Sequence, residues 1–190
     1  YADLDDILDL AEDFLVEVVK YVLDNGGRPH LETLERDVSL LEKVQKPFPR
    51  MTYDEACAQL KELGEPVEPE DDFGSPHETK LTQQYDRPIM VHRYPTAVKA
   101  FYMKEDPDNP ARALGMDMLA PDGYGEVIGS GQREDSEEIL LRKIAEHNLN
   151  QEHFEWYLDL RPYGSVTHGG LGLGIERLVC WVCGNRHIRE

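Results

Sequence analysis

Two acids set the chemical question. Asp117 and Glu126 lie in otherwise apolar runs, 113–119 and 124–128, on either side of a Pro121-Asp122-Gly123 turn. A carboxylate among apolar side chains is costly to bury unless it is paired or holds a cation. If the hairpin loop has an even number of residues, both acids project from one face of a sheet and can share a cation; an odd loop puts them on opposite faces. On one face they would make a Mg2+ pair that also needs substrate phosphates, because Mg2+ is seldom held by protein ligands alone. The other reading is two ordinary acids on the solvated side of a sheet. Arg133 follows Glu126 by seven residues, an odd step that a regular strand would turn to the opposite face. Gly129-Ser130-Gly131 is where a bulge could correct the aim. A guanidinium there could hold a carboxylate or a carboxamide oxygen; the plainer reading is a surface arginine.

A second stretch, 163–178, carries Gly169, Gly170, Gly172 and Gly174, four glycines in six positions, leading into an apolar helix. Bare backbone of this kind admits another chain or a planar ligand at close range. No Gly-Lys-Ser/Thr follows, and the spacing does not fit the dinucleotide fingerprint. Arg177 falls in the first turn of that helix, a poor place for a cation in the helix field. It points to an anionic partner or is a plain surface arginine. His168 reads first as a hydrogen-bonded structural histidine. Cys180-x-x-Cys183 has no second pair, and His187 does not complete a zinc set, so core packing is its reading. Neither a Ser-His-Asp arrangement nor an HExxH pattern is present.

These groups need a scaffold. Apolar residues from Leu4 to Leu23 recur at three- and four-residue steps and predict a helix, with Asp3, Asp5 and Asp6 at its start and Asn25-Gly26-Gly27 at its end. A second helix is expected over 31–44. After Pro47-Phe48-Pro49, Thr52-Tyr53-Asp54-Glu55 fits a capping box opening a helix to about Leu63. Residues 64–74 read as a solvated loop, and Ser75-Pro76-His77-Glu78 as another capping box. Segments 88–94, 100–104, 113–119 and 124–128 read as strands of an antiparallel sheet, since no helix-length segments separate them. Asp106-Pro107-Asp108-Asn109-Pro110 is a turn between two of them. Helices are expected over 135–147, with Asp135 and Glu138 at capping spacing, and over 151–160. A strand near Ser165 then leads into a helix over 174–183. The expected class is α+β, an antiparallel sheet with flanking helices.

Composition narrows the field. The 190 residues hold 20 Lys+Arg against 38 Asp+Glu, a net charge of -18. That excess argues against holding duplex nucleic acid by charge alone, though not against local contact with an RNA end. No apolar run reaches the ~18 residues of a membrane span, and the start shows no basic-then-apolar signal pattern. The three cysteines, Cys57, Cys180 and Cys183, make no disulfide framework and suggest a reducing cytosol. The immediate entry into a helix suggests a cut inside a larger domain.

Residues 169–177 resemble motif 3 of the class II aminoacyl-tRNA synthetases. Together with Pro95-Thr96-Ala97-Val98-Lys99-Ala100-Phe101-Tyr102-Met103, the 117–133 hairpin, Trp156 to Gly164 and the Asp-Phe-Gly-Ser-Pro-His-Glu of 72–78, they resemble the asparaginyl family within that class, across essentially the whole chain. The resemblance implies the class II fold and activation of asparagine by ATP to an asparaginyl-adenylate, then transfer to the terminal ribose of tRNA. It implies that Asp117 and Glu126 bind Mg2+ on the ATP phosphates, Arg133 reads the amino-acid side chain, and Arg177 meets the terminal phosphate. Gly170, Gly172 and Gly174 would let ATP lie against the sheet, and His168 would stand near the amino-acid pocket. Alignment and charge neutralisation would do the work, with no covalent catalysis by a side chain. ATP, Mg2+, asparagine and the tRNA acceptor end are the implied cofactors and partners, in a cytoplasmic homodimer.

The family usually reads Gly-Gly-Ser where this chain has Gly129-Ser130-Gly131, a swap expected to alter the local bulge. By the same resemblance the chain would be the C-terminal part, 1–190, of a catalytic domain. On that reading the anticodon barrel, motif 1 and motif 2 would lie outside it, and Ile188-Arg189-Glu190 would stop short of the usual end. Two alternatives stand beside this reading. One is a related adenylate-forming enzyme acting on aspartate, either an aspartyl-tRNA synthetase or an asparagine synthetase-like relative. The other is a non-catalytic binding or dimerisation module, against which the retention of Asp117, Glu126, Arg133 and Arg177 counts.

Overall fold

The computed structural model describes residues 1–68, 70–187 and 189. The reading attached to Ile188 and Glu190 at the chain end, and Pro69 within the expected loop, lie outside them.

Helix α1 (Leu4–Asp24) forms as its periodicity requires. Asp3 caps it, accepting from the Asp6 amide while Asp6 reaches back to the Asp3 amide. Its stripe of Leu4, Leu8, Ala11, Leu15, Val19 and Leu23 is buried. The expected 31–44 helix is instead two short ones, α2 (Arg28–Thr33) and α3 (Val38–Glu42). Glu35 takes a left-handed φ of 57°, which ends α2, and Asp37 caps α3 through Ser39. Strand β1 (Arg50–Thr52) runs into α4 (Tyr53–Glu62), capped by the expected Thr52/Glu55 box. Helix α5 (Ser75–Thr82) is capped by Gly74, not Ser75, the Gly74 amide donating to His77 Nδ1.

Strand β2 (Ile89–His92), the hairpin of β3 (Glu105–Asp106) and β4 (Asn109–Ala113), then β5 (Gly115–Ala120) and β6 (Gly125–Gln132) fill the middle. Residues 100–104 are not a strand. They form a turn that meets the end of β6 through an isolated Met103–Arg133 bridge and a hydrogen bond from the Lys104 amide to the Gln132 carbonyl at 2.9 Å. Helix α6 (Glu137–Glu146) is capped by Ser136 rather than Asp135. The 151–160 segment is a 3-10 turn followed by α7 (Glu155–Leu158). Strand β7 (Gly169–Leu173) begins later than the sequence suggests and leads to α8 (Ile175–Cys183).

The main sheet has the order β1-β2-β5-β6-β7. It is mixed rather than wholly antiparallel: β1 runs parallel to β2, reached through α4 and α5, and the other pairs are antiparallel. Alternation gives the sheet two faces. Met90, Met116, Met118 and Ile128 pack with α1 and α8 on one side. Met51, Ile89, Val91 and Leu119 pack with Tyr53, Ala56, Leu60 and Leu81 of α4 and α5 on the other. Each such buried side chain contributes about 1.5–3 kcal/mol against exposure. Leu140, Ile144, Leu158 and Phe101 make a smaller cluster under α6 and α7. No helix among the described residues is long and apolar enough to cross a membrane.

Candidate active site

Along β5 the face that packs on α4 and α5 changes from Leu119 to Asp117, and the site begins at that change. The loop between the closing pair Ala120–Gly125 holds residues 121–124, an even number. Both acids therefore share a face, as the loop-parity condition requires. On β6 the register slips between Met118–Ile128 and Leu119–Glu126. Val127 is the extra residue, and it packs beside Ile128 in the α1/α8 core, so Glu126 and Gly129 face the same way.

This bulge also settles Arg133. The seven-residue step from Glu126 loses one residue at Val127, which returns Arg133 to the acid face. The bulge expected at Gly129-Ser130-Gly131 does not form. Those residues pair regularly with both neighbours, and Ser130 turns away, its hydroxyl donating to the Met116 carbonyl at 3.3 Å.

Four facing glycines make the floor. Gly129 pairs with Gly172 and Gly131 with Gly170. A Cβ on Gly129 would stand 2.5 Å from Glu126 Oε1 and 3.9 Å from Asp117 Oδ1, so the missing side chain is the space that both carboxylates border. A Cβ on Gly170 would come 3.2 Å from Arg133 Nη2. Asp117, Glu126, Gly129, Arg133 and Gly172 line one cleft of about 390 Å³. Its opposite lip is the 98–103 turn, with Lys99 and Tyr102.

Charge in this cleft is unbalanced. Burial pushes the Asp117 carboxyl above its ordinary range, against the pull of Lys99. Burial and then the Asp117 charge push Glu126 up. Burial and the Glu126 charge do the same to Glu78 of α5, opposed by Arg177. Arg133 stands with its guanidinium 4.9 Å from the Tyr102 ring centroid, and its amide donates to the His168 carbonyl.

Arg177 and His168 stand apart from that cleft's lining. Arg177 lies in the first turn of α8, exposed, donating to the Tyr124 carbonyl at 3.0 Å beside the hairpin tip. It still bears on the same acids through Glu78 and Glu126. Gly174 caps α8. The His168 ring donates from Nδ1 to the Val166 carbonyl at 2.7 Å, so its visible part in the site is the backbone carbonyl under Arg133. Cys180 is buried and Cys183 half-buried on α8, both as thiols, in keeping with packing. Among the described residues no group of three or more metal-binding side chains is assembled. Two hard carboxylate oxygen donors over a bare backbone floor fit Mg2+ only where phosphate oxygens share the ion.

Single-residue reasoning missed Lys99, whose ammonium lies 2.6 Å from Asp117 Oδ2, and Glu78. Both lie in segments quoted for the family resemblance, 95–103 and 72–78. Neither shares an element with the acids, so no spacing in the sequence relates them.

Comparisons with known proteins match the chain along its whole length. The family model described as tRNA synthetases class II (D, K and N) matches residues 1–190. An asparagine–tRNA ligase of Koribacter versatilis is 54% identical over 196 residues, covering 100% of this chain and 44% of that protein. The crystal structure of asparaginyl-tRNA synthetase from Pyrococcus horikoshii complexed with asparaginyl-adenylate superposes with a TM-score of 0.96 at 47% identity, covering 100% of this chain and 43% of that one. The Entamoeba histolytica asparaginyl-tRNA synthetase, also in complex with asparaginyl-adenylate, gives 0.90 at 33% identity with the same coverages. The chain thus spans less than half the length of the relatives it matches.

Proposed function

The chain belongs to the class II tRNA synthetases of the aspartate, lysine and asparagine group, and we propose that it carries the motif 3 half of a site that joins asparagine to its tRNA. In the proposed reaction the asparagine carboxylate attacks the α-phosphorus of ATP and releases pyrophosphate. The terminal ribose hydroxyl of tRNA then attacks the adenylate carbonyl and releases AMP.

The observation that carries this reading is the placement of Asp117, Glu126 and Arg133 on one glycine-floored cleft. The glycines admit a flat ligand against β6 and β7. Arg133 offers donors to a side-chain oxygen at one end. Asp117 and Glu126 would hold Mg2+ together with phosphate oxygens, and the ion would supply charge neutralisation there. Arg177, beside the hairpin tip, is proposed to meet the terminal phosphate. Gly170, Gly172 and Gly174 are proposed to lie along the nucleotide, and His168 to hold Arg133 from behind. None of these groups needs to bond covalently to substrate; position and charge suffice. The same reading implies a cytoplasmic homodimer that meets only the acceptor end of tRNA through this acidic part.

The test is ATP–pyrophosphate exchange by the protein that carries this chain. Exchange that depends on asparagine and Mg2+, and that is lost in Glu126→Ala and Arg133→Ala, is the expected result. Exchange that runs on aspartate in preference would move the reading to the aspartyl branch. Mg2+-dependent ATP binding unchanged in Glu126→Ala would leave a binding module.

A further inference from the structure

Arg133 poses a problem of selectivity. A free guanidinium fork prefers a carboxylate, which it grips with two parallel hydrogen bonds, over a carboxamide, which offers a single oxygen. The structure occupies one arm of the fork. Arg133 Nη1 donates to Met103 Sδ at 3.1 Å, a soft and weak acceptor. The plane of the group is covered by Tyr102. Nη2 has no hydrogen-bond partner among the described residues and faces the backbone of Gly170, where the absent side chain leaves it open.

Met103 is itself held on three sides. Its sulfur lies against Gly131, where an added Cβ would come within 2.5 Å. Its backbone is bridged to that of Arg133. Its carbonyl accepts from the Lys143 ammonium at 2.6 Å. Lys143, on α6, is 2% exposed; Glu105 lies 3.7 Å from its ammonium, and the charges of Glu134 and Arg142 also bear on it. With Glu105 balancing its charge, this buried ammonium holds the Met103 carbonyl, and so the Met103 main chain, in place.

We propose that Met103, anchored by Lys143, is a positioning residue that makes Arg133 a one-point reader and so tilts the site towards a carboxamide over a carboxylate side chain. The inference rests on the reading of Arg133 given above. Freeing Nη1 would restore the two-point grip and with it affinity for aspartate.

The test measures amino-acid-dependent ATP–pyrophosphate exchange with asparagine and with aspartate in the protein carrying this chain. Met103→Leu keeps the bulk and removes the acceptor. The ratio of kcat/KM for aspartate over asparagine is expected to rise about three- to tenfold, mostly through KM. Met103→Gln supplies an oxygen acceptor at similar length and is expected to keep the original ratio. Lys143→Met is expected to shift the ratio in the direction of Met103→Leu by a smaller factor, and it carries the test if Met103→Leu does not fold. An unshifted ratio in the folded Leu variant overturns the proposal. So does an equal fall for both substrates, or a Gln variant that behaves like the Leu one. Absence of asparagine-dependent exchange in the unsubstituted protein overturns the reading of the site itself, and this proposal with it.

Discussion

The Lys99 ammonium sits 2.6 Å from Asp117 Oδ2 and 3.8 Å from the centroid of the Tyr94 ring. Both charged side chains are largely buried, at 14% and 13% exposure. Lys99 therefore holds the charge of Asp117 in place before any other cation arrives. Breaking such a pair from one side strands the remaining charge, which typically costs 3–5 kcal/mol unless the group takes up a proton. Asp117 has that escape, since burial already pushes its carboxyl up. Lys99→Met is accordingly expected to cost about 2–3 kcal/mol at neutral pH and less in acid. Adding Mg2+ is expected to raise the Tm of this variant more than that of the unsubstituted protein. Thermal melts across pH, with and without Mg2+, check both statements, and equal Mg2+ responses would separate Asp117 from the cation.

Glu126 is the opposite case, an acid with no basic partner in contact among the described residues. Its folded pKa is raised by burial and by Asp117. A raised acid binds more protons in the folded state than in the unfolded one. Stability therefore falls as pH climbs from the ordinary glutamate value towards the folded one, and the loss stays at neutral pH. Glu126→Gln removes that loss. Because part of the residue still meets solvent, screening keeps the gain small, a Tm rise of roughly 1–3 °C at pH 7 that vanishes near pH 4. Mg2+-dependent activity in the same variant is expected to fall at least tenfold. A variant that is less stable at pH 7 would show that Glu126 is held by something other than repulsion.

How much of this was readable beforehand depends on range. The α1 stripe and the Thr52/Glu55 cap follow from contacts three or four residues apart, which spacing encodes. Loop parity reduced the facing of Asp117 and Glu126 to one number that the sequence leaves open, and the Ala120–Gly125 closing pair supplies it. The position of the bulge was missed because Gly129-Ser130-Gly131 has the permissive residues, whereas the actual slip at Val127 is driven by packing Val127 and Ile128 together against α1 and α8. The parallel β1–β2 pair was missed because β1 is three residues long and its partner lies beyond two helices. Residues 100–104 were read as a strand from Phe101 and Tyr102, yet those rings pack under α7 with Phe154 and Tyr157 instead. Lys99 and Glu78 reach the acids across the sheet, a relation that no local pattern carries.

Gly129 tests whether the floor matters as empty space. Its neighbours are the tips of two acids, not backbone, so an added methyl can be accommodated by moving Glu126. Alanine is also the better strand residue by about 0.5–1 kcal/mol. Gly129→Ala is expected to leave the Tm within about 2 °C while lowering exchange activity at least tenfold by displacing the Glu126 carboxylate. Activity retained with a shifted Mg2+ requirement would instead show that the acid can rotate back.

Gly169 opens β7 opposite Gln132 of β6 and, one residue out of phase with Gly170, faces the other way, against α1. There the contact is unforgiving: an added Cβ would overlap the Ile7 side chain and crowd the Gly131 carbonyl. Ile7 is 3% exposed, so its side chain has little room to yield. Overpacking of this kind costs typically about 1–3 kcal/mol, a Tm drop of about 2–12 °C at this size. Ile7→Val removes the terminal carbon that meets the new methyl and alone costs about 0.5–1.5 kcal/mol. Because the two residues touch, their effects are not additive. The double variant Gly169→Ala/Ile7→Val is expected to be at least as stable as Gly169→Ala alone. A fully additive loss would mean that β7 moves away from α1 as a unit, and that variant would then show altered exchange kinetics through Gly170 and Arg133 as well.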